Sequence, residues 1–209
     1  ANGKRNGAAG YLVTDWGDGG HHQYLPISYT GLLAGAAYSW SLKGSIDMDI
    51  PEALNRFVFK DSSSALGRVV FELGKVHEKT GVFPKNSTIF NHLLFWDMND
   101  RETVGKLNIK DLEGCLNSFR ELREVLSYEN KGDSEGRQSR KELLNAMRMA
   151  ELGVNKGICG LGGKVDKSLM RKELAEIISM HEDLWLARNR IGGLHESSER
   201  LRKIIRGLE

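Results

Sequence analysis

Apolar residues recur along most of this chain at the i, i+3, i+4, i+7 spacing of one helix face. Leu66, Val69, Val70, Leu73 and Val76 form such a stripe, ended by Thr80-Gly81. Ile89, Phe90, Leu93, Leu94, Phe95 and Trp96 form a bulky one behind Asn86-Ser-Thr88, and Leu112, Leu116, Phe119, Leu122, Val125 and Leu126 line a helix over Ile109–Tyr128. Two more long helices follow, over Arg137–Cys159 (Leu143, Leu144, Met147, Leu152, Val154) and Asp166–Arg190 (Leu169, Leu174, Ile177, Ile178, His181, Leu184, Trp185), and a short one spans Leu194–Gly207. Asp49 and Asp61-Ser-Ser-Ser64 sit where N-caps are expected, because their side-chain oxygens accept the free amides of a first turn. The connections are short, so consecutive helices should pack roughly antiparallel. The expectation is a mainly α protein, a bundle of about seven or eight helices.

The first 44 residues read differently. Tyr11-Leu-Val-Thr14 is β-branched and aromatic between glycines, and reads as the one β-strand. A glycine-rich loop, Gly17–Gln23, leads to Pro26 and a helix ending near Trp40, whose small residues (Gly31, Ala34, Gly35, Ala36, Ala37) admit a close neighbour. Strand, loop and helix make one β/α unit of the kind that tiles a (β/α)8 barrel. One strand makes no sheet, and its backbone groups need a partner. The expectation is therefore that residues 1–44 are the last unit of a truncated barrel and 45–209 a C-terminal helical domain.

Composition narrows the function classes. Thirty basic and 28 acidic residues leave a formal charge of +2, which makes no electrostatic case for a nucleic-acid partner. No apolar run approaches the roughly 20 residues of a membrane-spanning helix, so no membrane partner is expected. Cys115 and Cys159 have no metal-ligand spacing and read as plain thiols. Gly160-Leu-Gly-Gly-Lys164 lacks the spacing of a phosphate-binding loop and reads as a helix break, so no cofactor is expected.

Chemistry concentrates in Thr14-Asp-Trp-Gly-Asp-Gly-Gly-His-His22. Strand ends on the C-terminal side of a barrel face the active site. Trp16 there offers an apolar platform for a sugar ring, and Asp18, two positions on, can accept hydrogen bonds from sugar hydroxyls. Asp15, His21 and His22 are candidates for the rim. The plainer reading is a core tryptophan and a turn-forming aspartate. Adjacent histidines on an extended segment point in opposite directions, so a metal site is not expected. His77, His92, His181 and His195 stand alone on helical patterns and read as satisfied or surface residues, and Trp40, Trp96 and Trp185 as core or interface aromatics.

The segment Leu12-Val-Thr-Asp-Trp-Gly-Asp-Gly-Gly-His21, running into Leu25-Pro-Ile-Ser-Tyr29 and Gly31–Trp40, resembles the last barrel strand and helix of a bacterial branch of the family-20 glycoside hydrolases, the β-N-acetylhexosaminidases. Leu184-Trp-Leu-Ala-Arg-Asn-Arg-Ile-Gly-Gly-Leu194 is similar to a W-x-x-R-N-R-x-G-G-L stretch of the same branch. The resemblance implies that Trp16 walls the pocket around an N-acetylhexosamine ring and that Asp18, where better-known branches carry the longer Glu, binds outer hydroxyls. It implies substrate-assisted retaining hydrolysis, in which the 2-acetamido group is the nucleophile and an adjacent Asp-Glu pair orients it and protonates the leaving oxygen. No Asp-Glu dipeptide occurs here. The expectation is an inactive C-terminal piece of such an enzyme, whose partner in the intact parent is an N-acetylhexosamine-containing glycan and which forms homo-oligomers through its exposed barrel remnant. The alternative is a free-standing helical protein-interaction module.

Overall fold

The computed structural model describes residues 2–63, 65–95, 101–127 and 134–206. Among them the chain forms eleven α-helical segments, one π-helical and one 3-10 turn, and no strand. The mainly α expectation holds. The segments outnumber the expected seven or eight helices because single turns form at both ends of the chain's broken stretches: α1 (Asn2–Arg5), α3 (Leu42–Ser45), α4 (Ile50–Ala53) and α7 (Arg101–Val104). The longer elements are α2 (Leu25–Trp40), α5 (Ala65–Leu73), α6 (Ile89–Phe95), α8 (Ile109–Ser127), α9 (Ser134–Gly160), α10 (Lys167–Arg188) and α11 (Leu194–Arg206).

Local chemistry explains where these begin and end. Asp49 accepts from the Glu52 amide at 3.0 Å, with Pro51 in the first turn of α4. Asp166 accepts from Ser168 and Leu169 at the head of α10, and the Thr88 hydroxyl from Asn91 at the head of α6. The 3-10 turn Val76–Thr80 is closed by Gly81, whose φ of +62° suits a residue without Cβ.

α9 is the spine. It packs on α6, α8 and α10, and α11 closes against α10. One apolar cluster fills the space among α5, α6, α8 and α9 around Leu66, Val69, Ile89, Leu112, Phe119, Leu143 and Met147; a second lies between α9, α10 and α11 around Leu152, Leu174, Ile177, Leu184 and Leu201. Each side chain buried here contributes about 1.5–3 kcal/mol. The α6–α9 crossing is tight at Gly153: a Cβ there would stand 2.6 Å from the Phe90 carbonyl oxygen.

The expected strand is absent. Tyr11–Gly17 runs without ladder hydrogen bonds, because no second extended segment exists among the described residues to pair with it. The segment instead crosses α2. A Cβ on Gly35 would come within 2.6 Å of Val13 Cγ2 and 3.5 Å of the Tyr11 hydroxyl. Alternate residues thus face the helix, while Leu12 between them is 83% exposed. Trp40, expected in a core or interface, ends α2 at 93% exposure; Trp96 lies outside the described residues.

A buried polar knot ties α5 to α9. The Asp61 carboxylate accepts from the Ser63 hydroxyl (2.6 Å) and from the amides of Ser63, Ala65 and Leu66 (3.1, 3.2 and 2.9 Å). Arg140 reaches it at 3.5 Å and donates to the Leu126 carbonyl at 3.2 Å. Burial pushes the carboxyl pKa up, but the Ser63 and Leu66 hydrogen bonds and the Arg140 charge outweigh it and hold the group below its ordinary value. A depressed carboxylate contributes its full stability above the unfolded pKa of about 3.9 and loses it as pH falls through the folded value. Asp61→Asn should therefore lower stability by about 3 kcal/mol at pH 7. In urea melts between pH 7 and 3, the gap between the variant and the parent should narrow only at the acid end.

Candidate functional site

The Thr14–Tyr24 stretch divides at a tight turn. The His21 amide donates to the Gly17 carbonyl at 3.1 Å, and Gly19, Gly20 and His21 all take positive φ, of 71°, 108° and 52°. A Cβ on Gly17 would fall 1.9 Å from His21 Nδ1, so glycine is required for the chain to fold back this closely. Before the turn, Trp16 is 72% exposed, and Asp15 and Asp18 are exposed as well. Asp15 accepts from the Gln23 amide at 2.8 Å, and the same amide donates to Ser28 on α2 at 2.6 Å. After the turn His22 and Tyr24 turn into the helical body, while His21 and Gln23 stay exposed. The His21 ring meets Trp185 edge-on at 5.9 Å, and His22 lies between Phe95 (4.7 Å) and His181 (5.3 Å). The structure thus keeps Asp15, Trp16 and Asp18 on the outer surface, rests the exposed His21 edge-on against Trp185 of α10, and inserts His22 between α6 and α10.

Beneath the turn lies a chain of buried hydrogen bonds. Asn145 Nδ2 donates to the Tyr24 hydroxyl (2.8 Å) and to the Ile177 carbonyl (3.2 Å); the carbonyl can only accept, which fixes the amide orientation. Tyr24 Oη and His181 Nδ1 are 2.9 Å apart, and His181 Nε2 and Ser197 Oγ 2.8 Å. Ser197 donates to the Gly20 carbonyl, and His22 Nε2 lies 3.0 Å from the Ser197 carbonyl and 3.4 Å from its hydroxyl. The protons follow from these partners. The Ser197 proton is committed to Gly20, so Ser197 accepts from His181 Nε2–H; His181 Nδ1 is then bare and accepts from Tyr24; His22 carries its proton on Nε2. His181 and Ser197 are both fully buried.

A serine beside a histidine invites a nucleophile–base reading, but the proton order excludes it. A general base must accept the serine proton, whereas this imidazole donates to the serine, and no substrate can reach either. The role is docking. Burial is the largest influence on both histidines and lowers each to about 4; Arg200 and His21 add to the lowering at His22, and the two neighbouring imidazoles at His181. Burial likewise pushes the Tyr24 hydroxyl up.

The Leu184–Leu194 stretch meets the turn from the other side. Trp185, 9% exposed, donates its indole N–H to the Arg190 carbonyl at 2.8 Å, touches His21 and His181, and has Gly193 beside its ring. Arg188 clamps Glu142, which is 1% exposed, with Nη2–Oε2 at 2.8 Å, and reaches Glu135 at 2.6 Å. The two segments singled out on sequence, far apart along the chain, therefore share one interface.

Sequence reading missed Tyr24, Asn145 and Ser197 as members of this site. Its one available signal was polarity on an apolar face: His181 falls in the Ile177–Leu184–Trp185 stripe and Asn145 in the Leu143–Met147 stripe. Of the other histidines, His92 is buried, His77 packs on Phe83 at 5.6 Å and His195 is exposed. Both cysteines are free thiols, and burial raises Cys115 to about 11. Among the described residues no three His, Cys, Asp or Glu side chains are grouped to hold a metal, and no helix is long and apolar enough to cross a membrane. A groove of about 340 Å³ between α5 and α8, lined by Arg68, Glu72, Lys75, Lys79, Ser118 and Glu121, is built from other elements. No family model, curated protein or solved structure matches the chain.

Arg188→Ala would strand Glu142 as an uncompensated buried charge, at a cost of about 3–5 kcal/mol. Arg188→Ala combined with Glu142→Gln should recover a large part of that loss in chemical denaturation, since the neutral amide no longer needs a cation.

Proposed function

We propose that this chain is the C-terminal part of a family-20 β-N-acetylhexosaminidase, supplying a wall of the sugar pocket and a helical support domain. The observation that carries the reading is the Tyr11–Trp16 segment. It packs on α2 at Gly35 through Val13 and Tyr11, yet Tyr11, Leu12, Val13 and Trp16 are all substantially exposed. α2 adds to this: it contains no charged residue along its whole length, and only Pro26 is fully buried. A helix apolar all round is normally covered on every side. Here one side packs on α4, α5 and α9, and the segment crosses another. A neighbouring strand set would cover the rest and satisfy the segment's backbone groups.

In that setting Trp16 stacks against the apolar face of the terminal N-acetylhexosamine, and Asp18 accepts hydrogen bonds from its outer hydroxyls. Bond cleavage is assigned to the substrate's own 2-acetamido group, assisted by an Asp-Glu pair that this sequence does not contain. The chain alone is therefore inactive. Its helical body fixes the Trp16–Asp18 turn by holding the residues immediately after it.

The test is hydrolysis of 4-nitrophenyl N-acetyl-β-D-glucosaminide. The 209-residue chain should give no turnover. The natural gene product containing it should turn over, and Trp16→Ala in that product should lower kcat/KM about 100-fold, on the order of 2.7 kcal/mol. Turnover by the isolated chain, or none by the natural product, overturns the proposal.

A further inference from the structure

We propose that the Gly17–Tyr24 loop is docked by a proton-operated clasp of His22, His181 and Ser197, closed when both imidazoles are neutral and opened by protonation while the helical body stays folded.

The clasp rests on the proton inventory. Among the described residues, His181 Nδ1 is the acceptor that the Tyr24 proton meets, and Ser197 holds the loop through the Gly20 carbonyl. A proton added at His181 Nδ1 turns that acceptor into a donor facing a hydroxyl that already receives Asn145. Tyr24 must then turn its own proton away from the ring, which leaves a buried donor without its acceptor and weakens the hold of α10 on the loop, while the Asn145 donation persists. A proton added to His22 puts a second charge 5.3 Å away, measured between ring centroids.

The surrounding charges do not compensate. From the loop comes His21, from α11 Arg200, whose guanidinium lies against Gly19, and from α6 the Phe95 ring under Arg200. From α10, Glu182 is engaged by Arg202 of α11, and from α9, Glu142, which acts on Tyr24, is held by Arg188. The groups acting on the two imidazoles are thus cationic or neutral, and both titrate near 4 in the closed state against an ordinary value of 6.5. A folded value below the unfolded one means docking is complete above 6.5 and is lost as pH falls from there toward 4. The loop is also the weaker partner. His22 is only half-buried and the segment before it is exposed; of the loop only Tyr24 enters an apolar cluster, whose other buried members lie on α6, α9, α10 and α11, so opening is local.

The test is NMR on the full chain from pH 7.5 to 4, following histidine ring carbons and backbone amides together. The His22 and His181 rings should titrate well below 6.5. The Gly17–Tyr24 amides should shift with the same midpoint, while α8 and α9 amides keep their dispersion. Ser197→Ala should place the loop amides at their acid positions already at pH 7.5. His22→Gln, which keeps a donor toward the Ser197 carbonyl, should reduce the proton uptake linked to opening from two to one. Histidines that titrate while the loop amides stay fixed, a loop and body that melt in one step, or a Ser197→Ala loop still docked at pH 7.5 would each overturn the clasp. None of these readouts depends on glycosidase activity.

Discussion

The buried relay from Asn145 through Tyr24 and His181 to Ser197 and Gly20 is the constraint on which the arrangement of the N-terminal stretch depends. It spans α9, α10, α11 and the loop. Buried polar groups are costly unless satisfied, and apart from the Asn145 Oδ1, which is buried without a partner, this set is satisfied in one proton order. That order fixes the tautomers of both histidines and denies Ser197 a nucleophile's role. It also places the turn: with Gly20 and His22 pinned to Ser197, the tip of the turn and the residue before it stay at the surface, which is where Asp18 and Trp16 stand.

Around the relay, the structure divides between what is closed and what is open. Trp185, Arg188 and Glu142 seal one flank by burying an indole and a bidentate ion pair. Toward α2 the opposite holds. An uncharged helix and an unpaired apolar segment face outward together, with Leu12, Trp16 and Trp40 the most exposed of their large side chains. Large apolar side chains exposed in such number on neighbouring elements mark a surface suited to a covering partner. The glycosidase reading accounts for the open side, as the seat of further strands, and for the closed side, as the support that holds a pocket wall in place.

Much of the helical body was legible from spacing alone. The stripes of α5, α8, α9 and α10 bury or half-bury the residues their periodicity selects, except Leu169 in the first turn of α10, which is 62% exposed, and Asp49, Asp61, Thr88 and Asp166 cap where short polar side chains precede apolar runs. Those are local signals. Tyr11–Thr14 has a strand's composition, but a strand exists only through a ladder, and ladder partners are not written in the segment itself. Trp40 was misplaced because its size suggests burial, whereas its position at the last turn of α2 sets its exposure. The relay was the least legible feature: Tyr24 and His181 are 157 positions apart, and nothing near either names the other. The cluster around Trp16 was visible as chemistry, while its division into an outward and an inward half required Gly17 and the positive φ of Gly19, Gly20 and His21.

If the relay acts as one unit, its links on the two sides of the His181 ring must be energetically coupled although they do not touch. A double-mutant cycle in urea at pH 7.5 between Tyr24→Phe and Ser197→Ala measures this directly. The account predicts a coupling energy of about 1 kcal/mol or more, because losing either link frees the imidazole to change tautomer or tilt and devalues the other link. Strict additivity, within about 0.3 kcal/mol, would contradict it and reduce the relay to separate contacts that happen to share a ring.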